Sequence, residues 1–191
     1  MKSVGEPLLR LYNNSVLRMV RDIFPEHVWF PWRFSQTPRF WWNDKNNQKF
    51  FLEEEILPAL QRMYPDNESD RLSLFYNITV KILLDHGGLS LYNLYKKNVW
   101  NMLSSVFPHH TFYVWKFRFI HAPRGYWDDP NAQRQFIEWL ARELNIPSPN
   151  ALRTLNENDA QIAAERWYSL SSDVIEAKGG KSLMIYIVRG Q

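Results

Sequence analysis

Basic side chains interleaved with aromatic rings are the residues of this sequence whose types and spacing could bind a ligand. Residues 29–34 are WFPWRF and residues 40–42 are FWW, and Arg33, Arg39 and Lys49 lie within or beside these runs. Cations contact phosphate oxygens and aromatic faces stack on bases, so the pattern is typical of a surface that binds nucleic acid. The same rings could instead supply the buried area of a small hydrophobic core.

The chain repeats itself, and the repeat shows which of these residues recur. Three collinear segments align with later ones: 12–34 with 95–117, 38–53 with 123–138, and 75–88 with 167–180. The period of about 80–90 residues is longer than a solenoid unit and suits a small domain in tandem. Residues 38–117 are therefore predicted to form a complete repeat unit. Residues 1–37 would be the back half of one unit and residues 118–191 the front part of another, either within a longer array or as two halves that complete a compact pair.

The repeated segments predict a mainly helical fold. Asp44 and Asp129 are suitable N-caps, Thr79 and Ser172 are further candidates, and apolar residues recur at spacings of three and four after them. The Gly-Gly pairs are expected to end helices, and the aromatic segments after each Phe-Pro are expected to be extended, as a strand or hairpin would be. The predicted helices are Val16–Ile23, Lys45–Met63, Val80–Asp85, Ser90–Tyr95, Val99–Val106, Pro130–Leu144 and Asp173–Lys178.

A set of motifs covers almost the whole chain. They are GYWD at 125–128, NxQxxF at 131–136, WY at 167–168, GG at 179–180 and FPxHxxxxW[RK]F at 24–34 and 107–117. This combination resembles a Trp/Tyr-rich tandem-repeat module of multi-copy proteins in fungi and algae. The resemblance implies a tandem architecture and brings no activity, ligand or site residue with it.

The recurring basic residues are the candidate nucleic-acid contacts. The matched pairs are Arg33/Lys116, Arg39/Arg124 and Lys49/Arg134, and Arg18, Arg21, Lys96 and Lys97 lie in or beside the third short helix of the repeat. They could form a row of phosphate contacts in each unit. They could equally be ordinary surface charge, or arginines stacked on a neighbouring tryptophan.

The aromatic residues divide into two groups. Those kept in both copies are expected to form the core: Trp32, Trp115, Phe34, Phe117, Trp42 and Trp127. Phe30 and Trp41 are tyrosine in the other copy and alternate with these core positions. They are therefore the candidates for stacking on a base.

No catalytic constellation, metal site or cofactor motif is present. Cysteine is absent, which excludes thiolate metal sites and a cysteine nucleophile. Asp44 and Glu53–Glu55 could suggest an acidic cluster that holds magnesium, but Asp44 is explained as a helix cap and the second copy has Trp139 and Leu140 at the positions aligned with Glu54 and Glu55. We expect no enzyme activity and no cofactor.

Two functions from different classes remain. A net charge of +3 permits nucleic-acid binding without demanding it. The first candidate is a non-enzymatic module that binds nucleic acid with little sequence preference, and the alternative is a protein-interaction or scaffold repeat. The sequence has no apolar run of membrane-span length and no signal-peptide core, so we expect a soluble protein without a membrane partner. The lack of cysteine suits a reducing compartment such as the cytoplasm or nucleus.

The core assignment gives the first testable prediction. Trp115 should be largely buried, and Trp115→Ala should lower the free energy of unfolding by about 3–5 kcal/mol, as large aromatic truncations in cores do. Urea unfolding of the two proteins measures the difference. An unchanged unfolding midpoint would show that Trp115 belongs to a binding surface.

Overall fold

Helices make up most of the molecule, as the apolar spacing predicts. The computed structural model describes residues 6–65 and 70–189, and no β-strand occurs within these ranges. The described residues cluster into two compact units. The first takes in the described residues up to Leu74 together with Thr79–Pro108, and the second takes in Phe75–Ile78 and the described residues from His109 onward.

The first unit consists of short helices joined by tight turns. Its α-helices are α1 (Glu6–Leu11), α2 (Val16–Ile23), α3 (Lys45–Phe51), α4 (Leu57–Met63), α5 (Val80–Asp85), α6 (Leu89–Leu94) and α7 (Val99–Val106). Two single turns of 3-10 helix, Pro31–Arg33 and Trp41–Asn43, precede α3. The 3-10 segment Arg71–Asn77 crosses the boundary into the second unit.

The second unit also consists of helices and single 3-10 turns. Its α-helices are α8 (Pro130–Glu143), α9 (Glu157–Tyr168), α10 (Ser172–Ile175) and α11 (Lys181–Arg189). The 3-10 turns Val114–Lys116 and Tyr126–Asp128 precede α8, and Ala151–Thr154 lies between α8 and α9. Between α10 and α11 the backbone leaves the helix at Lys178 and Gly179.

Side-chain caps fix where the helices begin. Asp44 accepts a hydrogen bond from the Asn46 amide at 2.8 Å, and Asp129 accepts the matching bond from Asn131 at 2.9 Å. Thr79 caps α5 as expected, whereas α10 is capped by Ser171 and not by Ser172. Because Ser171 and Ser172 are adjacent and chemically identical, sequence alone does not choose between them.

The long helix predicted at Lys45–Met63 forms with an irregularity in its middle. A single π-helical turn, Leu52–Ile56, joins α3 to α4, and the Leu57 amide donates to the Leu52 carbonyl five residues earlier. A π turn adds one residue to the helix and rotates everything after it. The uninterrupted α8 of the second unit lacks this extra residue.

The aromatic segments expected to be extended contain a turn of 3-10 helix in place of a strand. Trp32 and Trp115 lie in these turns, Pro31–Arg33 and Val114–Lys116. Their rings meet a phenylalanine of the long helix edge-on: Trp32 lies 5.2 Å from Phe51, and Trp115 lies 5.3 Å from Phe136. The turn therefore directs a tryptophan into the core. In an extended strand, by contrast, successive side chains of the segment would point to opposite faces.

Most of the aromatics expected in the core are buried. Trp32, Trp42, Trp115, Phe117 and Trp127 are all at most 7% exposed. Phe34 is half-buried, unlike its counterpart Phe117. Each unit thus has a tryptophan pair packed around one fully buried phenylalanine.

The Gly-Gly pairs let a helix end directly against these tryptophan turns. Gly87 follows α5 with a φ of 83°, and a Cβ placed on it would come within 2.8 Å of the Trp32 carbonyl oxygen. Gly179 has a φ of 85°, and a Cβ there would overlap the Trp115 carbonyl oxygen. Glycine is therefore required at each position for two reasons, the left-handed backbone and the close approach.

This contact predicts a large cost for one added methyl group. Gly179→Ala should destabilise the second unit by about 1 kcal/mol for the left-handed backbone and by a further 1–3 kcal/mol, roughly, for the overlap with backbone. Gly125→Ala is the matched control, because Gly125 has a φ of 78° but faces only the flexible Asp128 side chain. Equal losses in urea unfolding would contradict the close-approach argument.

Candidate nucleic-acid interface

A buried carboxylate organises the basic residues of the first unit. The π turn directs Glu55 inward, where its side chain is 10% exposed. Its Oε2 accepts hydrogen bonds from the Trp32 indole at 2.8 Å and from the Arg33 Nε and Nη2 at 2.9 and 2.8 Å. The His86 Nδ1 lies 2.8 Å from Oε1. The arrangement satisfies the carboxylate from three sides.

These partners decide the ionisation of Glu55. Burial raises the pKa of this carboxyl, but the hydrogen bonds from Trp32, His86 and Arg33 and the charge of Arg33 outweigh burial. The net result is a pKa below the usual value of 4.5. Glu55 is therefore an anion at neutral pH and holds Arg33 in an ion pair.

In the second unit a tryptophan occupies the place of this carboxylate. Trp139 is buried at 7% exposure, and its ring lies 5.8 Å from that of Trp115. The Lys116 ammonium lies 5.5 Å from the centroid of the Trp139 ring. Trp139 thus contacts Trp115 and Lys116 through its ring, whereas Glu55 contacts Trp32 and Arg33 through hydrogen bonds. The sequence match pairs Glu55 with Leu140, but the π turn adds one residue to the first helix at this point.

The matched cations Arg33 and Lys116 consequently differ in their surroundings. Arg33 is bound to a carboxylate, which offsets its charge. Lys116 lies over three rings, those of Tyr76, Tyr113 and Trp139, at 5.8, 5.7 and 5.5 Å. Within the described residues no carboxylate pairs with Lys116. Its positive charge is therefore available to an anionic ligand.

A shallow depression beside Lys116 contains further predicted contacts. Its volume is about 510 Å³, and Tyr113 and Arg134 line it together with Arg142 and Glu138. Tyr113 is half-buried and also carries Lys116 on its ring. The structure thus brings two of the predicted cations, Lys116 and Arg134, to the same tyrosine. We call Tyr113, Lys116, Arg134 and Arg142 the Tyr113 surface.

In the first unit a different pair of predicted cations comes together. Arg18 and Arg39 line a cleft of about 580 Å³ whose other walls are residues 13–17 and 34–38. Neither aspartate nor glutamate is among the lining residues. Arg39 also stacks on the Phe40 ring, with its guanidinium carbon 4.8 Å from the centroid. This cleft is a second positive region, with two cations where the Tyr113 surface has three.

The remaining basic candidates do not join either surface. Lys49 is 3.8 Å from Glu53, and Arg21 donates to the Trp29 carbonyl at 3.4 Å. Lys96 and Lys97 are exposed in a left-handed turn, with φ values of 52° and 62°. Arg124 is exposed on the loop before α8. The predicted row of phosphate contacts is therefore divided between surfaces.

The rings proposed for stacking are used in packing, and a different ring is open. Phe30 stacks on Phe50 at 5.9 Å, and Trp41 packs edge-on against Trp42 at 4.6 Å. Phe40, which sequence reasoning did not select, is 67% exposed and has a φ of 65°. Phe40 aligns with Gly125 in the sequence repeat. This alignment is a sequence signal for an unusual role of Phe40, since an aromatic residue rarely replaces a glycine in a left-handed conformation.

No family model, curated protein or solved structure matches this chain. The resemblance to the Trp/Tyr-rich repeat module therefore stays a hypothesis. Among the described residues there is no group of three side chains that could hold a metal ion. None of the described helices is long and apolar enough to cross a membrane.

The Glu55 cluster predicts a pH dependence of stability. Because the folded pKa lies below 4.5, the stabilisation is complete above that pH and is lost as pH falls from there through the folded pKa. Glu55→Gln should cost about 1–3 kcal/mol at pH 7, since hydrogen bonds to a charged group are removed.

The difference between the two proteins should shrink as pH falls below 4.5. Urea unfolding at pH 7 and at lower pH measures it, with the exposed Glu54→Gln as control. A cost that is the same at both pH values would contradict the ionised state of Glu55.

Proposed function

We propose that the protein is a non-enzymatic tandem-repeat module that binds nucleic acid through the phosphates, chiefly at the Tyr113 surface. The observation that carries this proposal is the replacement of Glu55 by Trp139. Among the described residues no carboxylate pairs with Lys116, and aromatic faces lie beside it. Arg134 and Arg142 add two further cations next to the same tyrosine, against one acid, Glu138.

Matched local geometry supports a tandem repeat. Gln48 and Gln133 each donate to the carbonyl of a buried tryptophan, Trp42 and Trp127, at 2.6 and 2.7 Å. The 3-10 turns that hold these tryptophans both follow a left-handed residue, Phe40 or Gly125. The turn before α2 and the turn before α7 likewise both contain two consecutive left-handed residues. Unrelated helical units would not share such unusual backbone positions.

Phosphates suit these cations better than base edges do. Lysine and arginine exchange at Arg33/Lys116 and Lys49/Arg134. A bidentate contact to guanine tolerates that exchange poorly, whereas a phosphate tolerates it well. Because the net charge is only +3, binding depends on the local cluster. We expect micromolar or weaker affinity with little sequence preference and a steep dependence on salt.

A protein-interaction or scaffold role is the second candidate. Large apolar side chains on α2 and α11 are exposed, among them Ile23 at 47% and Val188 at 72%. Exposed apolar faces on helices favour contacts with protein surfaces. The two functions depend on different residues and are separable by experiment.

The nucleic-acid proposal is tested by fluorescence anisotropy with single- and double-stranded probes at two salt concentrations. The double variant Lys116→Gln/Arg134→Gln should weaken binding. It should also reduce the slope of log affinity against log salt concentration by the equivalent of about two phosphate contacts. Adding Arg124→Gln should reduce the slope by at most one further contact.

The matched control is Lys49→Gln/Lys81→Gln, which removes the same charge from lysines already paired with Glu53 and Asp85. It should change binding far less. If the wild type does not bind at low salt, or if the two double variants behave alike, the scaffold role is the better account.

A further inference from the structure

Helices α2 and α7 match in sequence and capping but differ in burial. Both begin at a capped valine, Val16 or Val99, and end at a Phe-Pro pair. α7 packs against α3 and buries Val99, Met102, Leu103 and Val106 to 6% exposure or less. On α2 the corresponding ends of the face are open, with Val16 at 44% and Ile23 at 47%. The middle of this face, Met19 and Val20, is half-buried. α2 therefore leaves partly open the face that α7 buries.

The segment that contains α2 already has the conformation of its counterpart. Asn13 and Asn14 have φ values of 53° and 57°, which match the 52° and 62° of Lys96 and Lys97. The Tyr12 hydroxyl donates to Asp22 at 3.1 Å, and its counterpart Tyr95 lies 3.4 Å from the Ser105 hydroxyl. No rearrangement is needed for α2 to pack as α7 does.

The surface that receives α7 also has an uncovered counterpart. Gln48 on α3 is 2% exposed, and Leu52, the first residue after α3, is fully buried. The matching residues of α8, Gln133 and Ile137, are only half-buried. Gln48 Oε1 accepts a hydrogen bond from Tyr95 at 2.6 Å, whereas the described part of the chain provides no tyrosine for the carbonyl oxygen of Gln133. In the first unit α7 covers this face of α3. The matching face of α8 is thus partly open.

We propose that the protein associates with itself head to tail, with α2 of one copy packed on α8 of the next copy as α7 packs on α3. The α7–α3 contact within the chain is the template that identifies a second copy as the occupant. The two faces differ, so the interface is heterologous and builds either a closed ring or an open array. This inference does not depend on nucleic-acid binding.

A single position allows a charge-specific test of the geometry. Lys45, at the start of α3, donates a hydrogen bond to the Tyr95 hydroxyl. It donates another to Ser105 Oγ, 2.5 Å away. Its counterpart at the start of α8 is the exposed Pro130. In the proposed interface Pro130 of one copy faces Tyr12 and Asp22 of the next. A cation at position 130 would therefore meet a carboxylate, and an anion would be repelled by it.

Sedimentation of the 191-residue chain over a concentration series, with nucleic acid removed, measures the association. The wild type should associate as concentration rises. Pro130→Lys should tighten the dissociation constant by about two- to fivefold and Pro130→Glu should weaken it by a similar factor. Because Pro130 itself is exposed, both variants should fold. Opposite shifts of this kind are not expected from an unspecific apolar contact.

A mixing experiment tests the head-to-tail arrangement. Val16→Glu/Ile23→Glu should abolish self-association, and Met63→Glu, an equally exposed change on α4, should not. Labelled Val16→Glu/Ile23→Glu, which should be monomeric alone, should sediment in dimers when unlabelled Pro130→Glu is added, since it keeps an intact α8 face for the α2 of its partner. A wild type that stays monomeric at every concentration, equal effects of lysine and glutamate at position 130, or no association in the mixture would overturn the proposal.

Discussion

The close approach between a glycine and a tryptophan carbonyl sets the architecture of each unit. Gly87 lies against the carbonyl of Trp32, and Gly179 lies against that of Trp115. This contact joins the end of one helix to the 3-10 turn that precedes the long helix, two segments far apart in sequence. On the other side of this turn the tryptophan ring projects into the core, where it meets Phe51 or Phe136. The packing of the aromatic residues follows from this constraint.

On that shared frame, one inserted residue changes the electrostatics. The π turn Leu52–Ile56 places Glu55 where the second unit has Trp139. In the first unit the Trp32 indole and Arg33 therefore have an anionic partner. In the second unit the Trp115 indole nitrogen is buried and has no hydrogen-bond partner among the described residues, which costs stability. The second unit therefore lacks the hydrogen-bonded polar cluster of the first, and among the described residues no carboxylate neutralises Lys116.

The sequence predicts the regular elements well and the long-range polar contacts poorly. Val80–Asp85 and Val99–Val106 agree with the structure in both bounds, because Thr79 and Asn98 cap them and Gly-Gly or Phe-Pro ends them. The helix α9 is missing from the predicted helices, because polar residues interrupt the apolar spacing along it. Neither the π turn nor the pairing of His86 with Glu55 has a local signal. Both depend on which backbone segments meet in three dimensions.

The two proposals reinforce each other physically while each stands on its own contacts. A single Tyr113 surface offers three cations and one aromatic face, which is too little for tight binding. Each chain added head to tail would supply one more copy of that surface. Binding of the second and later surfaces to one nucleic-acid strand would then be intramolecular, so overall affinity would rise without any new contact. Under the two proposals together, a mildly basic protein with partly exposed apolar residues on α2 would bind a polyanion firmly although each single surface would bind it weakly.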